Sequence, residues 1–81
     1  MNTRFTFLDE NREYKKANLI VAFTDNNKKY IAYELEEEAN PKHDIMHFAL
    51  YDEVDGRVFI HRIEDDEKEY AENRLLELMN E

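Results

Sequence analysis

Three histidines are the residues of this chain best suited to bind a metal ion. His43 and His47 lie four positions apart with Asp44 between them, and His61 comes later, in a strand-like segment. Imidazole and carboxylate groups are common zinc ligands. His43, however, falls in a loop, and pairing of Leu50 with His61 across a two-residue turn would place His47 on the opposite face of the sheet. We therefore expect surface or edge-of-core histidines and no metal site.

Two acidic clusters could also carry chemistry. Residues 52–56 (DEVDG) lack the D-x-D-x-D-G frame and the twelfth-position glutamate of a calcium loop, so they are better explained as a hairpin turn. Residues 64–67 (EDDE) could hold a divalent cation weakly or supply a general acid and base. The start of a helix explains the second cluster without any chemistry.

Several residue types needed for catalysis are missing. The chain has no cysteine and no serine, which excludes a disulfide framework, a thiolate nucleophile and a serine nucleophile. The single glycine, Gly56, excludes glycine-rich loops that cradle phosphates. We therefore predict no catalytic residue, no cofactor and no enzymatic activity.

The charge is strongly and unevenly acidic. The 81 residues carry a formal net charge of −9, and their length predicts one small domain over residues 1–81. Residues 1–33 hold six bases and four acids, whereas residues 34–81 hold five bases and sixteen acids. A field of one sign steers oppositely charged surfaces, so we expect a basic protein partner. The candidate partner-binding residues are Glu36, Glu37, Glu38, Glu72, Glu77 and Glu81. They lie in a loop or off the apolar stripe of a helix, so we expect them to be solvated.

Basic residues do not merge into a nucleic-acid site. Lys15 and Lys16 lie near one end of a predicted strand, and Lys28 and Lys29 near the other, roughly 35–40 Å away at about 3.3 Å per residue. Phosphate binding would also oppose the overall charge, so we expect no direct nucleic-acid binding. No apolar run approaches the roughly 18 residues of a membrane span, and no signal-peptide core is present, which predicts no membrane association and a cytoplasmic protein.

Tyrosine is an alternative source of a docking surface. The chain contains five tyrosines, and a core this small cannot bury all of them, so some must lie at the surface. Surface tyrosine is favoured in protein interfaces. The five are Tyr14, Tyr30, Tyr33, Tyr51 and Tyr70.

Five segments before residue 64 have the composition of β-strands. The first two are residues 5–8 and 17–23, and the second is followed by Asn26-Asn27, which suits a two-residue hairpin turn. After this turn comes the third strand, in which Tyr30 is predicted to pair with Phe23 and Ala32 with Val21, with Leu19 on the same face.

The remaining strands follow a long surface loop over residues 36–44. They are residues 45–51 and 57–63, joined by Asp55-Gly56. The middle strands carry apolar residues on both faces, so we expect the sheet to be covered on more than one side.

A helix is predicted over residues 66–80. Asp66 is a suitable N-cap, and Glu69 has the spacing of a capping box. The apolar residues recur at helical spacing: Ala71, Leu75, Leu78 and Met79, flanked by Tyr70 and Leu76. The predicted fold class is α+β, a mostly antiparallel sheet of about five strands, connected as a meander of hairpins, with one C-terminal helix packed on it.

Three stretches together resemble a known family. Residues 7–13 (FLDENRE), 28–34 (KKYIAYE) and 59–67 (FIHRIEDDE) are similar in order and spacing to the YrzB-like bacterial proteins, a family of unknown function. The resemblance covers nearly the whole chain and implies a short, acidic, cytoplasmic bacterial protein. It implies no activity and no catalytic residue.

Two functions remain open from the sequence. The first is a non-enzymatic adaptor or regulator that docks on a basic partner protein, supported by the missing nucleophiles and the one-sided charge. The second is an acidic mimic of nucleic acid that inhibits a DNA- or RNA-binding protein. Displacement of the partner by duplex DNA separates the two.

Overall fold

Five strands and one α-helix make up the computed structural model, which describes residues 3–9, 11–38 and 45–80. The strands are β1 (Arg4–Leu8), β2 (Tyr14–Asp25), β3 (Lys28–Leu35), β4 (His47–Val54) and β5 (Arg57–His61), and the helix is α1 (Asp65–Met79). A 3₁₀ turn at Glu36–Glu38 follows β3. The predicted α+β class, with mostly antiparallel strands before one C-terminal helix, is confirmed.

The sheet closes into a small barrel, which corrects the expectation of a simple meander under a helix. Each strand pairs with the next in antiparallel fashion, and β1 then pairs with β5 in parallel, at Leu8 opposite Phe59. In a meander of five strands the first and last run in the same direction, so a closing pair between them has to be parallel. Closure brings the two edges of the five-stranded sheet together, and they are matched at this one position.

The two hairpin turns form as predicted. Both asparagines of the β2–β3 turn have positive φ, 52° and 65°, as do Asp55 (52°) and Gly56 (79°) in the β4–β5 turn. Positive φ at both central positions is the geometry of the primed turn that matches strand twist. The predicted pairs are confirmed: Phe23 with Tyr30, Val21 with Ala32, and Leu50 with His61.

The predicted face of Leu19 is wrong. The β2–β3 register shifts between Leu19 and Val21, so that Leu19 lies opposite Tyr33 and packs inside the barrel. Val21 packs on the outer side, and Ile20, the extra residue of the bulge, is 41% exposed. A bulge bends its strand and increases the local twist, which a long strand needs to follow the curve of a barrel.

Two apolar cores lie on either side of the barrel wall, which confirms that the sheet is covered on more than one side. The inner core contains Phe7, Ala17, Ile31, Tyr33 and Ala49. The outer core lies between the wall and α1 and contains Tyr30, Ala32, Ile63, Ala71 and Leu75. Strand β3 contributes alternate residues to both, because successive side chains of a strand point to opposite faces.

The helix begins and ends one residue earlier than predicted, and Asp66 is not its N-cap. Glu64 is the N-cap residue and makes no side-chain capping bond, while the N–H of Glu67 donates to the carbonyl of Glu64 at 3.0 Å. The start follows from tertiary contacts: Ile63 is buried in the outer core directly before the turn.

Candidate partner-binding surfaces

Helix α1 is fixed to the barrel by apolar and polar contacts. Ala71 and Leu75 are fully buried against β2 and β3. At the start of the helix, Glu67 accepts a hydrogen bond from the hydroxyl of Tyr30 at 2.7 Å and another from Lys28 at 3.0 Å. These contacts settle which face of α1 meets the barrel and which face is turned to solvent.

The Tyr30–Glu67 contact shifts the pKa of both groups. The hydrogen bond to Glu67, helped by burial, raises the pKa of the Tyr30 hydroxyl to about 12. The same bond, together with the one from Lys28, lowers the pKa of the Glu67 carboxyl. Each shift favours a neutral hydroxyl that donates to an ionised carboxylate. The contact is a structural link between β3 and α1. The Tyr30 hydroxyl and the Glu67 carboxylate are hydrogen-bonded to each other, so we assign neither a role as catalytic acid or base.

The outward face of α1 carries acids that the sequence interpretation assigned to capping. Asp66 and Glu69 are exposed, and neither forms a salt bridge with the residues that the structure describes. Leu76 follows on the same outward side and is 41% exposed. The signal was present in the sequence, because these positions lie opposite the Ala71 and Leu75 stripe at helical spacing.

The three glutamates of the 3₁₀ turn, which we call the acidic turn (Glu36–Glu38), each contact a basic or imidazole group; Glu37 is exposed as expected, whereas Glu36 and Glu38 are half-buried. Glu36 accepts two bonds from the guanidinium of Arg4, at 2.7 and 3.1 Å. Glu37 binds Lys15 at 3.1 Å, and Glu38 lies 2.7 Å from the Nε2 atom of His47. Each carboxylate is therefore paired with a different strand of the barrel: β1, β2 and β4 in turn.

The remaining predicted acids lie on or beyond α1. Glu77 is exposed and contacts Arg74 at 3.3 Å, one helical turn earlier. Glu72 is half-buried at the side of α1, where it faces a groove of about 270 Å³. The other residues lining this groove are Met46, His47, Phe48, Arg62, Ile63 and Lys68. Its mixture of charges favours neither sign of ligand. Glu81 lies outside the described residues.

The histidines occupy separate positions. His47 stacks on Tyr33 with ring centroids 5.3 Å apart, whereas His61 lies on β5, 3.8 Å from Asp52. His43 and Asp44 are outside the described residues. Among residues 3–9, 11–38 and 45–80, no group of three histidine or acidic side chains is arranged to hold a metal ion.

One lysine of each predicted pair contacts a glutamate. Lys15 and Lys28 each donate a hydrogen bond to a glutamate, and these hydrogen bonds raise the pKa of both ammonium groups.

The tyrosines differ in exposure. Tyr30 and Tyr33 are buried, whereas Tyr14 is 72% exposed and Tyr70 is 53% exposed, so the prediction that some tyrosines lie at the surface is confirmed. The Tyr70 hydroxyl donates to Asp25 at 3.0 Å, so Tyr14 is the more accessible of the two.

No protein-family model, curated protein or solved structure matches this chain. The resemblance to the YrzB-like proteins therefore stays a prediction. Within the described ranges, no helix combines the length and apolar character required to cross a bilayer.

Proposed function

We propose that this chain is a non-enzymatic, cytoplasmic protein-binding module that docks on a basic partner through the outward face of α1. The observation that carries the proposal is the pair Asp66 and Glu69, exposed on a helix whose opposite face is buried in the outer core. Neither carboxylate forms a salt bridge with a described residue, so both contribute to the negative field that a basic partner meets.

Exposed apolar surface beside these acids favours an adaptor over a nucleic-acid mimic. Leu76 is 41% exposed and Met79 is 36% exposed, next to the charged positions of the same helix. Protein interfaces combine an apolar centre with a polar rim. A surface that imitates a phosphate backbone requires carboxylates alone.

The proposed docking site is on the helix and not in the acidic turn. Glu36, Glu37 and Glu38 are each partnered by a basic or imidazole group, which reduces their pull on an approaching protein. Glu77 remains part of the proposed surface because it is exposed and, among the described residues, its carboxylate forms a salt bridge only with Arg74 of its own helix.

The test is a charge-reversal comparison on an affinity-captured, identified and purified partner. Asp66→Lys combined with Glu69→Lys should lower the association rate by about ten-fold or more at low salt, because steering by exposed charge is lost. The wild-type rate should fall steeply as salt rises, since screening acts within about 10 Å at 0.1 M.

The matched control is Asp52→Lys combined with Glu53→Lys, which changes the net charge equally at exposed positions of β4. Equal loss in both double variants would show that total charge alone matters and would overturn the proposed surface. Release of the partner by competing duplex DNA would instead identify the chain as a nucleic-acid mimic.

A further inference from the structure

The join between β1 and β5 is the least complete part of the barrel wall. These two strands pair at one position only, Leu8 opposite Phe59, whereas every other neighbouring pair is matched over at least five positions. The join lies two strands away from β3 in either direction around the barrel, and β3 is a strand that α1 covers. It is therefore remote from the proposed acidic surface.

At this join, part of the β1 backbone has no matched residue on β5. The N–H of Leu19 donates to Thr3 and the N–H of Asp9 donates to Glu13, both at 2.9 Å, so the odd-numbered residues of β1 bond toward β2. Antiparallel ladders alternate, and the N–H and C=O groups of Thr6 and Leu8 must therefore point toward β5. Leu8 is matched with Phe59, but Thr6 is matched with no residue of β5.

The side chains around the join form two rows across three strands. The first row is apolar: Tyr14 on β2, Leu8 on β1 and Phe59 on β5. The second row is polar: Lys16 lies opposite Thr6, and Arg57 precedes Phe59 by two residues, as Thr6 precedes Leu8. A groove of about 200 Å³ runs along the join, lined by residues 6–8, Tyr14 and residues 56–59.

The second row is basic in a chain whose net charge is −9. Lys16 and Arg57 are exposed, and neither forms a salt bridge with any residue in the part of the chain that the structure describes. Lys15 and Lys28, by contrast, are each paired with a glutamate. Lys16 and Arg57 therefore lie on the two strands that flank Thr6, which has no matched residue on β5.

We propose that the β1–β5 join binds an extended acidic peptide segment of a partner protein, which adds to β1 as a strand. The main chain of the segment pairs with Thr6, its apolar side chains lie against Tyr14 and Phe59, and its carboxylates meet Lys16 and Arg57. Strand addition draws affinity from main-chain bonds and specificity from alternate side chains. Charge complementarity selects an acidic segment, and the lack of a matched residue opposite Thr6 selects an extended one.

The probe is a fluorescent peptide of repeated Val-Thr-Glu-Thr, which places valine and glutamate two residues apart on one face of a strand, titrated into the isotope-labelled 81-residue chain. We expect saturable binding, with amide shifts confined to the join and slower hydrogen exchange at the Thr6 amide. Lys16→Glu combined with Arg57→Glu should weaken binding at least ten-fold. Lys68→Glu combined with Arg74→Glu, the same charge change on α1, should weaken it much less. Equal weakening by the two pairs, or no binding at all, would overturn the proposal.

A second variant tests the main-chain contact. Thr6→Pro removes an N–H that faces away from β2, so the fold should survive and peptide binding should be lost. Unchanged binding by a folded Thr6→Pro protein would refute strand addition. If this variant unfolds, the exchange rate of the wild-type Thr6 amide with and without peptide decides the same point. If oligothymidylate binds the same residues more tightly than the peptide does, the ligand of the join is single-stranded nucleic acid and the proposal is overturned.

Discussion

The acidic turn and the outward face of α1 contain the same kind of residue in opposite situations. Glu36, Glu37 and Glu38 each have a partner on a different strand, at 2.7 to 3.1 Å. Asp66 and Glu69 project from a fixed helix with no salt bridge among the described residues. Acidic composition therefore indicates a negative surface, but the fold decides which carboxylates stabilise the chain and which remain available to a partner.

The physical reason for this difference is the position of each segment in the fold. The acidic turn follows β3 directly, so its side chains fall beside the ends of strands that carry Arg4, Lys15 and His47. The helix is held by Ala71 and Leu75, so residues on its other side cannot reach the barrel. Variants in the two regions should therefore differ in their effects on stability.

The largest effect is expected at the helix anchor. Leu75→Ala should lower the free energy of unfolding by about 2–5 kcal/mol, since Leu75 is fully buried and its loss leaves a cavity. Leu76→Ala, on the exposed side of the same turn, should change it by less than about 0.5 kcal/mol. Denaturant unfolding of both variants makes the comparison. Similar losses would mean that α1 is not docked through Leu75.

A smaller effect is expected when the acidic turn is neutralised. Replacing Glu36, Glu37 and Glu38 together by Gln should lower the melting temperature by a few degrees, because three contacts between the turn and the barrel are lost. This reverses the expectation for solvated acids, which is no change. The Asp66→Gln and Glu69→Gln pair should leave the melting temperature nearly unaltered. Calorimetry measures both melting temperatures. A larger decrease for the Asp66 and Glu69 variant than for the acidic-turn variant would contradict the distinction between the two regions.

The smallest effect is expected from the link between β3 and α1, and it depends on pH. The pKa of Tyr30 is raised from its ordinary 10.0 to about 12, so its contribution to stability is complete below pH 10 and is lost as pH rises toward 12. The pKa of Glu67 is lowered from its ordinary 4.5, so its contribution is complete above that value and is lost as pH falls below it.

Tyr30→Phe keeps the ring and removes the hydroxyl, so stability should become less dependent on pH between 10 and 12. When the variant is titrated with base, the increase in tyrosinate absorbance at the highest pH should also disappear. Tyr14→Phe, which removes an exposed hydroxyl, should leave both features in place and serves as the control. A late absorbance step that persists without the Tyr30 hydroxyl would show that the raised pKa belongs to another residue.

Local sequence patterns were sufficient to predict most of the secondary structure. The Asn-Asn and Asp-Gly turns require positive φ at both positions, and such turns set the register of the strands that follow, so the pairs Phe23–Tyr30 and Leu50–His61 were predictable. The stripe of Ala71 and Leu75 identified the buried face of α1 for the same kind of reason, since helical periodicity is local. The position of Leu19 was not predictable, because residues 19–23 are apolar throughout and either register buries a hydrophobic side chain.

The sequence by itself determined the order of elements, the two hairpins, the α+β class and an acidic second half, because each depends on residues a few positions apart. Only the tertiary structure decided the closure at Leu8 and Phe59, the bulge at Ile20 and the pairing of the acidic turn with Arg4, Lys15 and His47. These features join residues up to 51 positions apart, as for Leu8 and Phe59. Their geometry comes from the twist that closes five strands into a barrel, which no single segment encodes.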